Sequence, residues 1–143
     1  MVQDVMRPFG APKGTAYAIL LSIAPHHADR IFSFAKCWEF RRVCPRAEYG
    51  TTAFIYETRP RMGVTGLVTV GTVRHGPPAA LSILEEDLWS RDAVLSYLKG
   101  GSRPGAIQIL HPRHFDTPMP VTHFSLTRPP QSYAWVADIG RVS

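Results

Sequence analysis

The run Val64–Val73, VTGLVTVGTV, constrains the fold of this chain more than any other segment. It reads as one long strand, and Gly66 and Gly71 inside it permit a bulge or a sharp coil. A strand that coils needs partners that wrap with it. The sequence supplies them in short pieces. Ala16–Ile23 is an apolar run that reads as a buried strand. In the next piece Trp38 and Phe40 alternate with Cys37, Glu39 and Arg41. Ala53–Thr58 is β-branched and aromatic, and Ala106–Leu110 is another apolar run. A further strand lies in the tail. Pro25 opens a helix over about 25–35, because Ala28, Ile31, Phe32 and Ala35 recur at helical spacing.

Residues 79–99 form the helical centre, with Leu81, Leu84, Leu88 and Trp89 on one face. Asp92 serves there as a cap, and Gly100-Gly101 is the stop. Asp116–Pro120 reads as a turn with two prolines. Strands and helices do not alternate evenly, so a doubly wound parallel sheet is excluded. The expected fold is α+β: a small barrel of five to six strands flanked by two to three helices. Its apolar share of 45% against 19% charged residues is that of a folded domain. Residues 1–14 read as a loose leader. Residues 15–143 read as one domain, its tail pinned by Phe124, Tyr133 and Trp135.

Charge supplies the first functional indication. Sixteen cations face eleven carboxylates, for a net charge of +5, and 13 of the cations are arginine. Arginine matches phosphate with a planar fork and stacks on bases, so an anionic partner such as RNA is expected. GC-rich coding also favours arginine over lysine. Cys37 and Cys44 alone make neither a disulfide framework nor a four-ligand zinc site. No apolar run reaches the roughly 18 residues that span a membrane. The first ten residues lack a secretion-signal pattern, and a cytoplasmic location is expected.

Lys36, Glu39 and Arg41 are the leading site candidates. Glu39 and Arg41 stand two apart on a strand and share a face, with Trp38 and Phe40 turned to the core. Such a strand offers polar groups on a rigid floor, where a cation pair holds phosphate or a base carbonyl and Glu39 accepts from an exocyclic amine. The plain alternative is an ion pair of Glu39 with Arg41 or Arg42 on a solvated face. His26-His27 reads as a wet helix start, and Glu85-Glu86-Asp87 as the wet side of a helix. Tyr56 and Trp38 are able to stack bases, although core packing is their default. His111, His114, Cys37 and Asp116 do not match a zinc spacing, so neither a metal nor a cofactor is expected. Cys37 lacks an assignable histidine partner and reads as a plain thiol.

These elements, in this order, resemble the ASCH family of the PUA-like superfamily. Lys36-Cys37-Trp38-Glu39-Phe40-Arg41 is similar to the family's Gly-x-Lys-x-x-Glu-x-Arg signature. AFIYETRP resembles its tyrosine-bearing strand, His114-Phe115-Asp116-Thr117-Pro118 its closing turn, and Pro129–Tyr133 a tail seen in many members. The likeness spans roughly residues 16–136. The family's glycine two places before the lysine is Phe34 here; such a glycine lets a helix end in a tight turn. The resemblance implies a PUA-like barrel that binds RNA or a nucleotide-like ligand beside the strand of Lys36, Glu39 and Arg41, with Arg42 and Tyr56 as further contacts. It also implies an alternative: a small hydrolase, of the acetylcytidine amidohydrolase type or a ribonuclease. Lys36 and Glu39 would then be catalytic, and Glu85 or Glu86 would be the acid from the central helices. In the amidohydrolase pattern a threonine stands where Glu39 is. A third reading is a protein-interaction module with an apolar patch at Phe124, Tyr133 and Trp135.

Overall fold

The computed structural model describes residues 17–138; the leader placed at 1–14 and the last residues of the chain lie outside this range. Six strands form one sheet. In chain order they are β1 (Tyr17–Ile23), β2 (Trp38–Arg41), β3 (Thr52–Glu57), β4 (Gly63–His75), β5 (Gly105–Met119) and β6 (Tyr133–Ala137). Across the sheet the order is β2-β5-β4-β3-β1-β6. Only β1 and β3 run parallel among these pairs, joined by a crossover through helix α1 (Pro25–Phe32). Helices α2 (Pro78–Ser82) and α3 (Arg91–Leu98) follow β4, with a 3₁₀ turn at Leu88–Ser90 between them. This is the α+β small barrel that the strand pattern predicts. No helix among the described residues is long and apolar enough to cross a membrane.

The period of two divides the hydrophobic residues between two faces. Ile19, Leu21 and Ile23 of β1 meet Ala53 and Ile55 of β3, Val68 and Val70 of β4, and Ile107 and Ile109 of β5 inside the curl. Helix α1 adds Ala28 and Ile31 to this cluster. Residues of opposite parity on β1 and β3, Ala18, Leu20, Phe54 and Tyr56, face outward; the register shift between Val64 and Gly66 turns Val64 to the same side, and Phe124 of the tail covers them. Phe40 and Ala106 are covered by Leu81 and Leu98 of the helical segment. Phe124 is therefore buried, and Tyr133 and Trp135 pack against the inner cluster.

Several boundaries differ from the sequence reading. Strand β5 runs 15 residues, through the stretch expected to turn at Asp116–Pro120. Pro112 fits within it because the ladder with β4 shifts register between Leu67 and Thr69, opposite a bulge where His111 takes φ +50°. The expected helical face over 79–99 is broken. Leu88 is 67% and Trp89 94% exposed. Asp87, not Asp92, supplies the capping side chain, accepting from the Trp89 N–H at 3.2 Å. Gly100, at φ +81°, follows the end of α3 as expected.

Candidate functional site: a buried Lys–Glu–Arg triad and a cavity bounded by Ser22

Helix α1 ends at Phe32, three residues short of the predicted limit. The Phe34 N–H donates to the Ile31 carbonyl and the Ala35 N–H to the Arg30 carbonyl. This is the Schellman pattern, with Phe34 at φ +65° where glycine is usual. The Lys36 N–H joins Ala35 on the Arg30 carbonyl, at 3.0 Å. The phenylalanine thus makes the turn that ends the helix, and Lys36 is delivered to the start of β2.

Glu39 pairs with Ile107 in the β2–β5 ladder, so its side chain points into the barrel. Lys36, Glu39 and Arg41 are 7%, 5% and 6% exposed, which corrects the expectation of a solvated sheet face. The Lys36 Nζ lies 3.1 Å from Glu39 Oε1, and Arg41 donates to Glu39 Oε2 at 3.0 Å. Both carboxylate oxygens are engaged. Burial opposes the charge on Glu39, but Lys36 and Arg41 outweigh it and hold the carboxyl below its usual range.

Arg41 also closes the barrel. From β2, at one edge of the sheet, it donates to the Ser22 carbonyl of β1 at 3.1 Å. Its other terminal nitrogen donates to the Ser132 carbonyl and hydroxyl at 2.7 and 2.8 Å. The planar fork thus ties together chain segments that no ladder joins. Its Nε is buried without a hydrogen-bond partner among the described residues.

His27, read from sequence as part of a wet helix start, belongs to this site. Its Nδ1 lies 3.3 Å from the Lys36 Nζ. Burial, then the Lys36 charge, push its pKa down to about 4, so the ring is neutral at pH 7. With Lys36 donating to Nδ1, the remaining ring proton sits on Nε2 and points away from the ammonium. Only the turn geometry reveals this pairing; a sequence separation of nine carries no signal for it.

The other candidates scatter. Arg42 is exposed beyond the end of β2 and does not join the triad. Tyr56 is 5% exposed and packs on the outer side of β3 with Phe54 and Phe124. Its edge lines a cavity of about 690 Å³ with Ser22, Thr58, Arg59, Arg128 and Pro130. Ser22 therefore connects the two features: its carbonyl is held by Arg41 and its side chain bounds the cavity. Glu85 is buried and pairs with Arg30 at 3.2 Å, while Glu86 hydrogen-bonds Cys37 and raises that thiol's pKa. His114 packs edge-on against Phe32. Among the described residues no three of His, Cys, Asp and Glu gather in a metal-binding group.

The curled six-stranded sheet with its helices has the fold of solved ASCH-domain structures. The crystal structure of ASCH from Zymomonas mobilis is similar to this chain at a TM-score of 0.71 and 22% identity, covering 87% of this chain and 91% of that one. Structures of two point mutants of that protein give a TM-score of 0.74 at the same identity, covering 95% and 93% of their chains. Neither a protein-family model nor a curated protein matches the sequence.

Proposed function

We propose that the protein binds RNA or a nucleotide-like ligand through Lys36 and His27, with the cavity beyond Ser22 as a second contact region. One observation carries this reading: the buried triad sets two cations against one carboxylate, beside a neutral histidine. An uncompensated positive charge at low dielectric favours an anionic or strongly polar acceptor nearby. The third Lys36 proton and the His27 Nε2–H are the donors for a phosphate or base carbonyl. Arg59 and Arg128 at the cavity add positive charge, and a volume of about 690 Å³ lies within the range of small-ligand sites.

The hydrolase alternative finds less support. Glu39 would be its base, yet both Glu39 oxygens are already held by cations. Incubation with acetylated cytidine or short RNAs is expected to yield no product by chromatography. Turnover lost in both Lys36→Ala and Glu39→Gln, with folding intact, would replace the binding reading by the enzymatic one.

Fluorescence anisotropy with a labelled single-stranded RNA, competed by a nucleoside monophosphate, tests the binding itself. Lys36→Met keeps the aliphatic stem and removes the charge, and is expected to weaken both ligands about tenfold, the value of one charge-assisted hydrogen bond. Absence of binding by either ligand at low salt would end this reading.

A further inference from the structure

A second cationic feature lies at the opposite end of β2. Arg42 follows β2 directly, and Arg46 lies in the loop beyond it. Arg74 and His75 end β4, where they pair with Ala106 and Gly105 at the start of β5. Arg103 precedes β5, and its N–H donates to the Arg42 carbonyl at 3.2 Å. Since β5 lies between β2 and β4, the sheet itself gathers these residues at one end. The lowered pKa of His75, due first to burial and then to Arg103 and Arg46, is consistent with this grouping.

Among the described residues, no ion pair engages this group. The ion pairs among the described residues use Arg30, Lys36, Arg41 and Arg61, and none uses Arg42, Arg46, Arg74 or Arg103. Arg103 donates instead to the Cys44 carbonyl and the Tyr133 hydroxyl. Arg74 lies over the Trp38 ring at 5.9 Å, which orients its guanidinium without cancelling its charge. The acid nearest in sequence is Glu48, exposed in the loop after Arg46. Structural arginines are normally paired; exposed arginines gathered without acids form an electrostatic footprint.

We infer that this arginine-lined end of the barrel is a track for the phosphate backbone of a single-stranded polynucleotide, separate from the Lys36 site. Arg42, just past β2, and Arg74, near the end of β4, follow strands two spacings apart, about 10 Å. Cations set apart along one rim in this way are placed to meet more than one phosphate of a chain. Contacts of this kind position a strand without reading its bases. The inference deepens the reading of a nucleotide-bearing partner and rests on it. It adds that the natural ligand is a strand reaching beyond the cavity, not a free nucleotide.

The test compares the wild type with the combined variant Arg42→Gln, Arg46→Gln, Arg74→Gln, using labelled oligouridylates of increasing length over a salt series. The wild type is expected to bind longer strands more tightly than short ones. In the variant the length gain is lost, and the slope of log affinity against log salt falls by about two, from three contacts at about 0.7 each. Binding of uridine monophosphate, measured by calorimetry, is expected to be unchanged. An unaltered slope and length dependence would overturn the track while leaving the cavity reading intact. Loss of monophosphate binding in Lys36→Met, with the length dependence kept, marks the cavity separately. Competition by polyglutamate as strong as by an oligouridylate at equal ionic strength would assign the surface to an acidic protein instead, and would also overturn the inference.

Discussion

Phe34 occupies a backbone region that costs an L-residue roughly 1–2 kcal/mol. Its ring is 71% exposed, so little burial offsets that cost. Phe34→Gly is therefore expected to stabilise the protein by up to about 1 kcal/mol, after the added freedom of glycine in the unfolded chain is subtracted. A urea titration checks this, and destabilisation would show that the ring makes contacts that matter. The triad behaves in the opposite way to a surface pair. Arg41→Ala leaves the Glu39 charge half-paired and releases the Ser22 and Ser132 carbonyls, at an expected cost of about 3–5 kcal/mol. Lys36→Ala leaves Arg41 on Glu39 and costs less, about 1–3 kcal/mol. Equal losses in the two variants would refute the idea that Arg41 alone holds the barrel closed.

Elements meet here through small residues as much as through large ones. A side chain on Gly66 of β4 would run into the Arg113 carbonyl of β5 and the Phe32 ring of α1. Gly66→Ala is expected to cost about 1–3 kcal/mol by overpacking, read as a lowered thermal midpoint. It should also weaken ligand binding, because displaced α1 carries His27 and the turn that places Lys36. A fall in stability with unchanged binding would separate the helix seat from the site. At β5 the bulge at His111 and Pro112 lets one strand follow β4 along both its halves. That is how a 13-residue and a 15-residue strand stay paired in a closed curl.

For the whole molecule, acid is the sharpest probe. His27 and His75 both have pKa values depressed below the unfolded histidine value. The unfolded chain then binds more protons, so their stabilising contribution is complete above about pH 6.5 and is lost as pH falls. For His27 the loss runs down to about pH 4. Glu39, also depressed, extends the decline to lower pH. Urea midpoints between pH 7 and pH 4 should fall, and His27→Gln should flatten that part of the curve. A profile that stays flat in the wild type would place His27 in solvent and detach it from the triad.

Local periodicity and composition by themselves determined the class of fold. The β-branched and aromatic run Ala53–Thr58, the glycine-bearing run Val64–Val73 and the uneven order of strands and helices point to a small α+β barrel, because each pattern is written within a few residues. The triad was legible as residue types: Glu39 and Arg41 share one strand face, and Lys36 stands just ahead of the strand. Which face that is was not legible. Trp38 and Phe40 argued for the core on their side, yet helices α2 and α3 cover that side as well, and the charged side turns inward. A period of two separates the faces of a strand without saying which one a distant segment will cover. Closure of the barrel by Arg41, the pairing of His27 with Lys36 and the gathering of arginines from three neighbouring strands all depend on contacts between residues far apart in sequence. Only the tertiary structure decided those, because it alone sets which desolvated charges must meet.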